Sequence, residues 1–142
     1  MTKDVFIKIN GAQQGMEENA VTIELPGTYH FANGKHFIQY DEPMDQTGKY
    51  IRNSIKISKS EVTYSKKDAH HTRMYFEINQ TTQMNYHTPY GMLALDVCTS
   101  QIDLLEEEER LEVKLIYNLS NNGVPVSDNG LSIIVRASSQ ER

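Results

Sequence analysis

Tyr86-His87-Thr88-Pro89-Tyr90-Gly91 runs directly into Met92-Leu93-Ala94-Leu95-Asp96-Val97-Cys98-Thr99, a turn-forming aromatic cluster followed by an alternating stretch. Proline fixes its own φ and pushes Thr88 toward extended geometry, while Gly91 can adopt a conformation closed to residues with a Cβ. The chain therefore enters the next strand through a stiff corner. Leu93, Leu95 and Val97 then share one parity and Asp96 and Cys98 the other, the period-two signature of a strand with one face in a core. Thr99-Ser100 is expected to kink this strand.

The same period recurs outward in both directions. Toward the C-terminus, Leu111, Val113, Leu115, Tyr117 and Leu119 alternate cleanly, Asn121-Asn122-Gly123 closes them as a turn, and Leu131, Ile133 and Val135 form the last strand. Between these runs, Glu106 to Arg110 carries four consecutive glutamates, whose mutual repulsion favours an exposed turn. Toward the N-terminus, Asn79 to Met84 reads as a loop or weak strand, and Met74, Phe76 and Ile78 share one face of a strand over 73–78. Ser65 to Ala69 reads as a polar turn, Glu61 to Tyr64 as a short strand, and Glu42 to Gly48 as a loop. Tyr50 to Ser58 is a strand carrying Ile51, Ile55 and Ile57, with ambiguous parity in its first half.

Asn33-Gly34 is the strongest hairpin signal, because both residues tolerate the positive φ of a type I′ turn, and it is expected to pair 28–32 with 35–41. Val21, Ile23 and Leu25 alternate up to Pro26-Gly27, where a bend or bulge is expected before Tyr29 and Phe31 resume the pattern. Val5, Ile7 and Ile9 define a first strand over 4–10, followed by a polar turn from Gly11 to Asn19. The tail from Ala137 to Arg142 lacks apolar anchors and is expected to fray.

No segment of ten or more residues has a helical period, so the fold class is all-β. Short connections between successive strands favour an antiparallel meander, and closing it removes exposed edges. The expected architecture is an up-and-down barrel of about eight to ten strands, with a two-sheet sandwich as the alternative. Placing Met74, Phe76, Ile78, Leu93, Leu95, Val97, Leu111, Val113, Leu115, Leu131, Ile133 and Val135 inward keeps Arg73, Glu77, Asp96, Glu112, Lys114 and Arg136 in water.

A length of 142 residues suits one domain with its own core. Nineteen acidic against fourteen basic residues give a net charge of −5, which repels a phosphate backbone and argues against nucleic acid as a partner. The one cysteine, Cys98, has no partner within the chain, and no leader-like segment precedes the first strand, so a reducing cytoplasm is expected. No apolar run approaches the roughly 20 residues of a membrane helix, so no membrane association is expected.

Met74-Tyr75-Phe76-Glu77, Tyr86-x-Thr88-Pro89-Tyr90-Gly91, Thr99 and Tyr117-x-Leu119 stand in an order and spacing that resembles the YwiB-like (DUF1934) family of bacterial proteins. The resemblance runs from about Asp4 to Arg136 and includes Tyr29, Tyr40-Asp41-Glu42 and Ile55-Lys56-Ile57-Ser58. It implies a small calycin-like, or lipocalin-like, barrel in a bacterial cytoplasm, and no known activity. Ser65-Lys66-Lys67-Asp68 departs from the Arg-x-Gly type of turn expected there. The Gly-x-Trp motif of true lipocalins is missing, with Gly27-Thr28-Tyr29 only a loose echo, so lipocalin ligands do not carry over.

Residue types that do chemistry are present without the spacing that chemistry needs. His70-His71 would point to opposite faces of a strand, whereas zinc needs three or four convergent ligands, so no metal site and no cofactor is expected. There is no Gly-x-Ser-x-Gly elbow and no phosphate loop, and Asp96, Glu77 and Glu112 have no spacing that makes them an acid/base pair. The candidate ligand-binding residues are Arg73, Tyr86, His87 and Tyr90, since tyrosine offers an apolar face with a polar tip and arginine a fork for an anion. The blander reading packs Tyr86 and Tyr90 beneath the Pro89 corner and pairs Arg73 with an acid on the adjacent strand.

Three functions follow in order: a non-enzymatic barrel binding a small molecule, a structural or protein-interaction module with a filled core, and an enzyme. Outward apolar residues such as Phe6, Phe37 and Ile116, and a homodimer, belong to the second.

Overall fold

The computed structural model describes residues 3–13, 21–44 and 48–138. The turn expected beyond Gln13, residues 45–47 of the expected loop and the tail beyond Ser138 lie outside the described residues, whereas Ala137, expected to fray, is buried at the end of the last strand, where it pairs with Val5. Among the described residues ten strands form one antiparallel sheet: β1 Asp4–Gln13, β2 Val21–Ala32, β3 Lys35–Met44, β4 Lys49–Ile57, β5 Glu61–Lys66, β6 Thr72–Glu77, β7 Thr81–Thr88, β8 Gly91–Glu106, β9 Arg110–Asn121 and β10 Val124–Ala137. Their order is β6-β5-β4-β3-β2-β1-β10-β9-β8-β7. Every strand pairs with its chain neighbour except β6 with β7, and β10 pairs with β1. The result is an up-and-down barrel, nearly closed, whose seam lies between β6 and β7. The Thr82 hydroxyl bridges that seam by donating to the Tyr75 carbonyl.

Local chemistry sets the joints. Asn33-Gly34 and Asn122-Gly123 both have positive φ, at 53° and 76° and at 50° and 82°, so each closes a two-residue hairpin whose twist matches its strands. Thr88 caps the Pro89-Tyr90 turn, its hydroxyl donating to the Gly91 carbonyl at 2.7 Å and accepting from the Tyr90 N–H at 3.1 Å. The expected kink in β8 is a bulge, with the register to β9 shifting between Thr99 and Gln101 while the Ser100 hydroxyl donates to the Ile116 carbonyl. One extra residue reverses the inward parity, which passes from Leu95, Val97 and Thr99 to Ile102, Leu104 and Glu106.

The apolar rows face inward. Phe76, Leu95, Val97, Leu111, Val113, Leu115, Ile133 and Val135 are buried, and Met74, Ile78 and Leu131 are half-buried. Each fully covered Leu, Ile or Val contributes about 1.5–3 kcal/mol. Leu93 is the exception at 38% exposed, because it pairs with Tyr86 toward the free end of the β7–β8 hairpin, where Tyr86 is itself exposed.

Several boundaries differ from the sequence expectation. Gly11–Gln13 continues β1, since β10 offers paired backbone groups to Asn129. Glu42–Met44 and Ser65-Lys66 likewise continue β3 and β5 against β4, polar composition yielding to ladder hydrogen bonds. Tyr86–Thr88 belongs to β7 and leaves only Pro89-Tyr90 as the turn. Val124–Gly130 opens β10 through a second bulge between Pro125 and Ser127. No bulge occurs at Pro26-Gly27, where the β1–β2 register is continuous. Instead β2 changes partner there, Gly27 pairing with Val5 on one side and Tyr40 on the other.

Among the described residues no helix is long and apolar enough to cross a membrane.

Candidate functional site

The inward row of β3 runs His36, Ile38, Tyr40, Glu42, so each end of the barrel receives a polar group from a strand whose middle is apolar. At the Tyr40 end the wall leaves a cavity of about 240 Å³, lined by Ile9, Ile23, Tyr40, Tyr64, Met74, Phe76, Tyr117, Leu131 and Ile133 with Gly11. Among the described residues no charged side chain lines it, and the side chains that carry a polar group are the three tyrosines. The Phe76 and Tyr117 rings meet at 4.8 Å and 59°.

Behind two of these tyrosines stands a chain of hydrogen bonds. Lys66 Nζ lies 3.0 Å from Glu42 Oε1, both less than one third exposed. Asn53, fully buried, donates through Nδ2 to Glu42 Oε1 at 3.3 Å and to the Ile51 carbonyl at 3.1 Å. Both partners are acceptors, which fixes the amide orientation and aims Asn53 Oδ1 at Tyr64. Tyr64 therefore donates its hydroxyl proton to Asn53, and its oxygen accepts a long bond of 3.4 Å from Tyr40.

Burial, then the neighbouring Tyr64, then the Glu42 charge push the Tyr40 phenol far above its ordinary value. Burial also raises Tyr64 and Tyr117. For Lys66, burial acts to lower the ammonium's pKa, but its bond to Glu42 and the nearby acidic groups outweigh it and hold the pKa above the ordinary value.

The opposite end is closed by a second cluster. The Ser100 bulge turns Glu106 inward, where Oε2 meets His36 Nε2 at 2.8 Å, and His36 Nδ1 meets the Tyr29 hydroxyl at 2.7 Å. His36 is buried and Phe31 packs against its ring at 4.9 Å. A neutral imidazole here carries its proton on Nε2, donates to the carboxylate and accepts from Tyr29. Burial, and secondarily Glu106, raise the Tyr29 pKa.

The four residues expected at a mouth do not line the cavity. Arg73 is exposed on the outer face of β6, opposite Ser65 rather than an acid. Tyr86 extends the inward row of β7 past Met84 and is 53% exposed, while Tyr90 at the turn is fully exposed, so neither packs beneath Pro89. His87 is exposed and stacks on His70, with centroids 3.8 Å apart and planes within 9°. The described residues contain no group of three His, Cys, Asp or Glu positioned to hold a metal ion.

Sequence reasoning missed Tyr40, Tyr64, Asn53 and Glu42 on one end and Tyr29, His36 and Glu106 on the other. The available signal was parity, since all are polar residues on rows that are otherwise apolar.

A family model described as Domain of unknown function (DUF1934) matches residues 7–133. No curated protein matches the chain. Among solved structures, the crystal structure of the ywiB protein from Bacillus subtilis matches with a TM-score of 0.73 at 18% identity, covering 95% of this chain and 90% of that one. At that identity the likeness concerns the fold.

Proposed function

Because the chain belongs to the DUF1934 family, whose description assigns no activity, we propose its function from the cavity: a non-enzymatic barrel that binds one small, largely apolar molecule at the Tyr40 end. The observation that carries this reading is a partly open cavity walled mainly by apolar side chains with three tyrosines among them, the usual composition of a ligand pocket. An apolar cavity of about 150 Å³ holds benzene, so the roughly 240 Å³ here suits a molecule of about ten heavy atoms. Between β6 and β7 the wall has no hydrogen-bonded ladder, and Met74 on β6 lines the cavity. Entry through that side needs no ladder to break.

The test uses the methionine methyls as reporters. Benzene titrated into ¹³C-methyl-methionine protein should shift the Met74 resonance saturably, and Leu131→Phe, which fills the cavity, should abolish the shift. No saturable shift at Met74, or one that survives Leu131→Phe, refutes the reading. Native mass spectrometry of protein from its own source then reports any resident ligand and the oligomer together.

A second reading rests on the β7–β8 hairpin, where Tyr86, Tyr90, Met92 and Leu93 are all exposed. As an interaction surface it would include the exposed His87 on the same hairpin, with a second copy of the chain as partner. Of the outward positions Phe6, Phe37 and Ile116, Ile116 is exposed while Phe6 and Phe37 are half-covered, the latter stacked on His30.

A further inference from the structure

We infer that the cavity selects a neutral ligand carrying a hydrogen-bond donor, such as a phenol or alcohol, and rejects carboxylates; this rests on the cavity-binding reading above. The direction of the hydrogen-bond chain decides the matter. Glu42, held by Lys66, and the Ile51 carbonyl both accept from Asn53 Nδ2, so Asn53 Oδ1 must accept from Tyr64. With its proton spent on Asn53, Tyr64 presents only its oxygen toward Tyr40, and both residues line the cavity. Tyr40 turns its own proton toward Tyr64, which leaves the Tyr40 lone pairs as the group offered to an occupant. A ligand O–H or N–H completes that array.

A carboxylate meets the reverse. Among the described residues no lysine, arginine or histidine lines the cavity, and the ammonium in the chain of contacts, Lys66, is engaged by Glu42. Tyr117 can offer one hydroxyl proton, which does not replace the hydration of a buried anion. Burial first, then Tyr64 and the Glu42 charge, raise the Tyr40 pKa, the direction expected of a position that disfavours an oxyanion.

Three matched probes test this at pH 7.5: 4-ethylphenol, its methyl ether 4-ethylanisole, and 4-ethylbenzoate, titrated against the Met74 methyl. The phenol should bind about tenfold more tightly than the ether, the worth of one hydrogen bond. The benzoate should fall at least roughly a hundredfold below the phenol, since it buries an unpaired charge. Tyr40→Phe should erase the phenol's advantage over the ether while the ether still binds. Glu42→Gln, which leaves the tyrosines in place, should narrow the gap between phenol and benzoate. Equal binding of phenol and ether, tighter binding of benzoate, or an undiminished phenol preference in Tyr40→Phe overturns the donor-selective assignment but leaves cavity binding standing. If none of the three moves Met74, the cavity reading falls with it.

Discussion

Gly27→Ala tests the point at which the barrel changes partners. Gly27 pairs with Val5 of β1 and with Tyr40 of β3, and an added Cβ would stand 2.5 Å from the Gln39 carbonyl oxygen, 2.6 Å from Ile7 Cδ1 and 3.3 Å from Tyr40 Cβ. Its φ is not in the left-handed region, so the cost is one of space alone. Ile7 can swing its terminal methyl only within a packed core, and the Gln39 carbonyl is fixed by the β2–β3 ladder. Carbon and carbonyl oxygen approach to about 3.3 Å without penalty, so the strands must part by roughly 0.8 Å. Overpacking of this kind costs about 1–3 kcal/mol, and two contacts below 3 Å place it at the upper end. Alanine returns about 0.4–1 kcal/mol by restricting the unfolded chain, for a net loss of about 2 kcal/mol. At this chain length that lowers Tm by about 6–8 °C. Gly130→Ala is the control, since its Cβ would meet nothing nearer than the Leu115 carbonyl oxygen at 4.0 Å. It should be neutral or raise stability by up to about 1 kcal/mol. Urea melts followed by circular dichroism compare the two, and a Gly27→Ala protein within about 0.5 kcal/mol of the parent, or an equal loss in Gly130→Ala, refutes the close approach.

Leu115→Ala should cost about 2–5 kcal/mol in the same melts and Lys114→Ala no more than about 0.5, because Leu115 is fully buried and Lys114 is mostly exposed. Glu106→Ala should cost about 1–3 kcal/mol by leaving the buried His36 Nε2 without its acceptor, while Glu106→Gln, which keeps an acceptor, should recover most of that loss. At Asp68 burial acts upward, but hydrogen bonds from Thr72 and the His70 N–H outweigh it and hold the carboxyl below its ordinary value. A depressed folded pKa means that its stabilisation is complete above the unfolded carboxylate pKa of about 4 and fades as pH falls through the lower folded value. Asp68→Asn should therefore show a shallower acid limb below about pH 4 in stability-versus-pH curves, and an unchanged limb would refute the assignment.

The fold could be read from sequence because strand parity is a local property with a global consequence. Leu111, Val113, Leu115, Tyr117 and Leu119, and likewise Leu131, Ile133 and Val135, keep one parity throughout, and each such row has one face that tolerates burial. Asn33-Gly34 and Asn122-Gly123 fix their hairpins by backbone chemistry that no distant contact has to supply. What composition could not give was where strands end. Gln13, Met44 and Lys66 stay extended because a partner strand presents unpaired N–H and C=O groups to them, and a partner brought from far along the chain leaves no mark on the local residue types. Gly27 shows the same thing in reverse. Pro26-Gly27 looks like a bend, yet the glycine is there to let three strands approach one another.

The candidate site went unread for a related reason, and the difficulty itself marks its position. The first half of β4 has no clean parity because Asn53 occupies an inward position in a row that continues through Ile55 and Ile57. Tyr40 and Glu42 follow Ile38 on the inner row of β3, and Tyr64 and Lys66 follow Val62 on β5. Three neighbouring strands thus lose their apolar inner row toward the same end of the sheet, and β3–β4–β5 pairing brings those departures into contact. On one strand a polar inward residue looks like noise. On three adjacent strands, in register, it is a polar wall, and burying it requires that its donors and acceptors be matched in a fixed order. On the binding reading proposed above that order is what would make the tyrosine end of the barrel selective, whereas Tyr86, Tyr90 and Arg73, chosen for residue type and turn position, stand on exposed surface outside it.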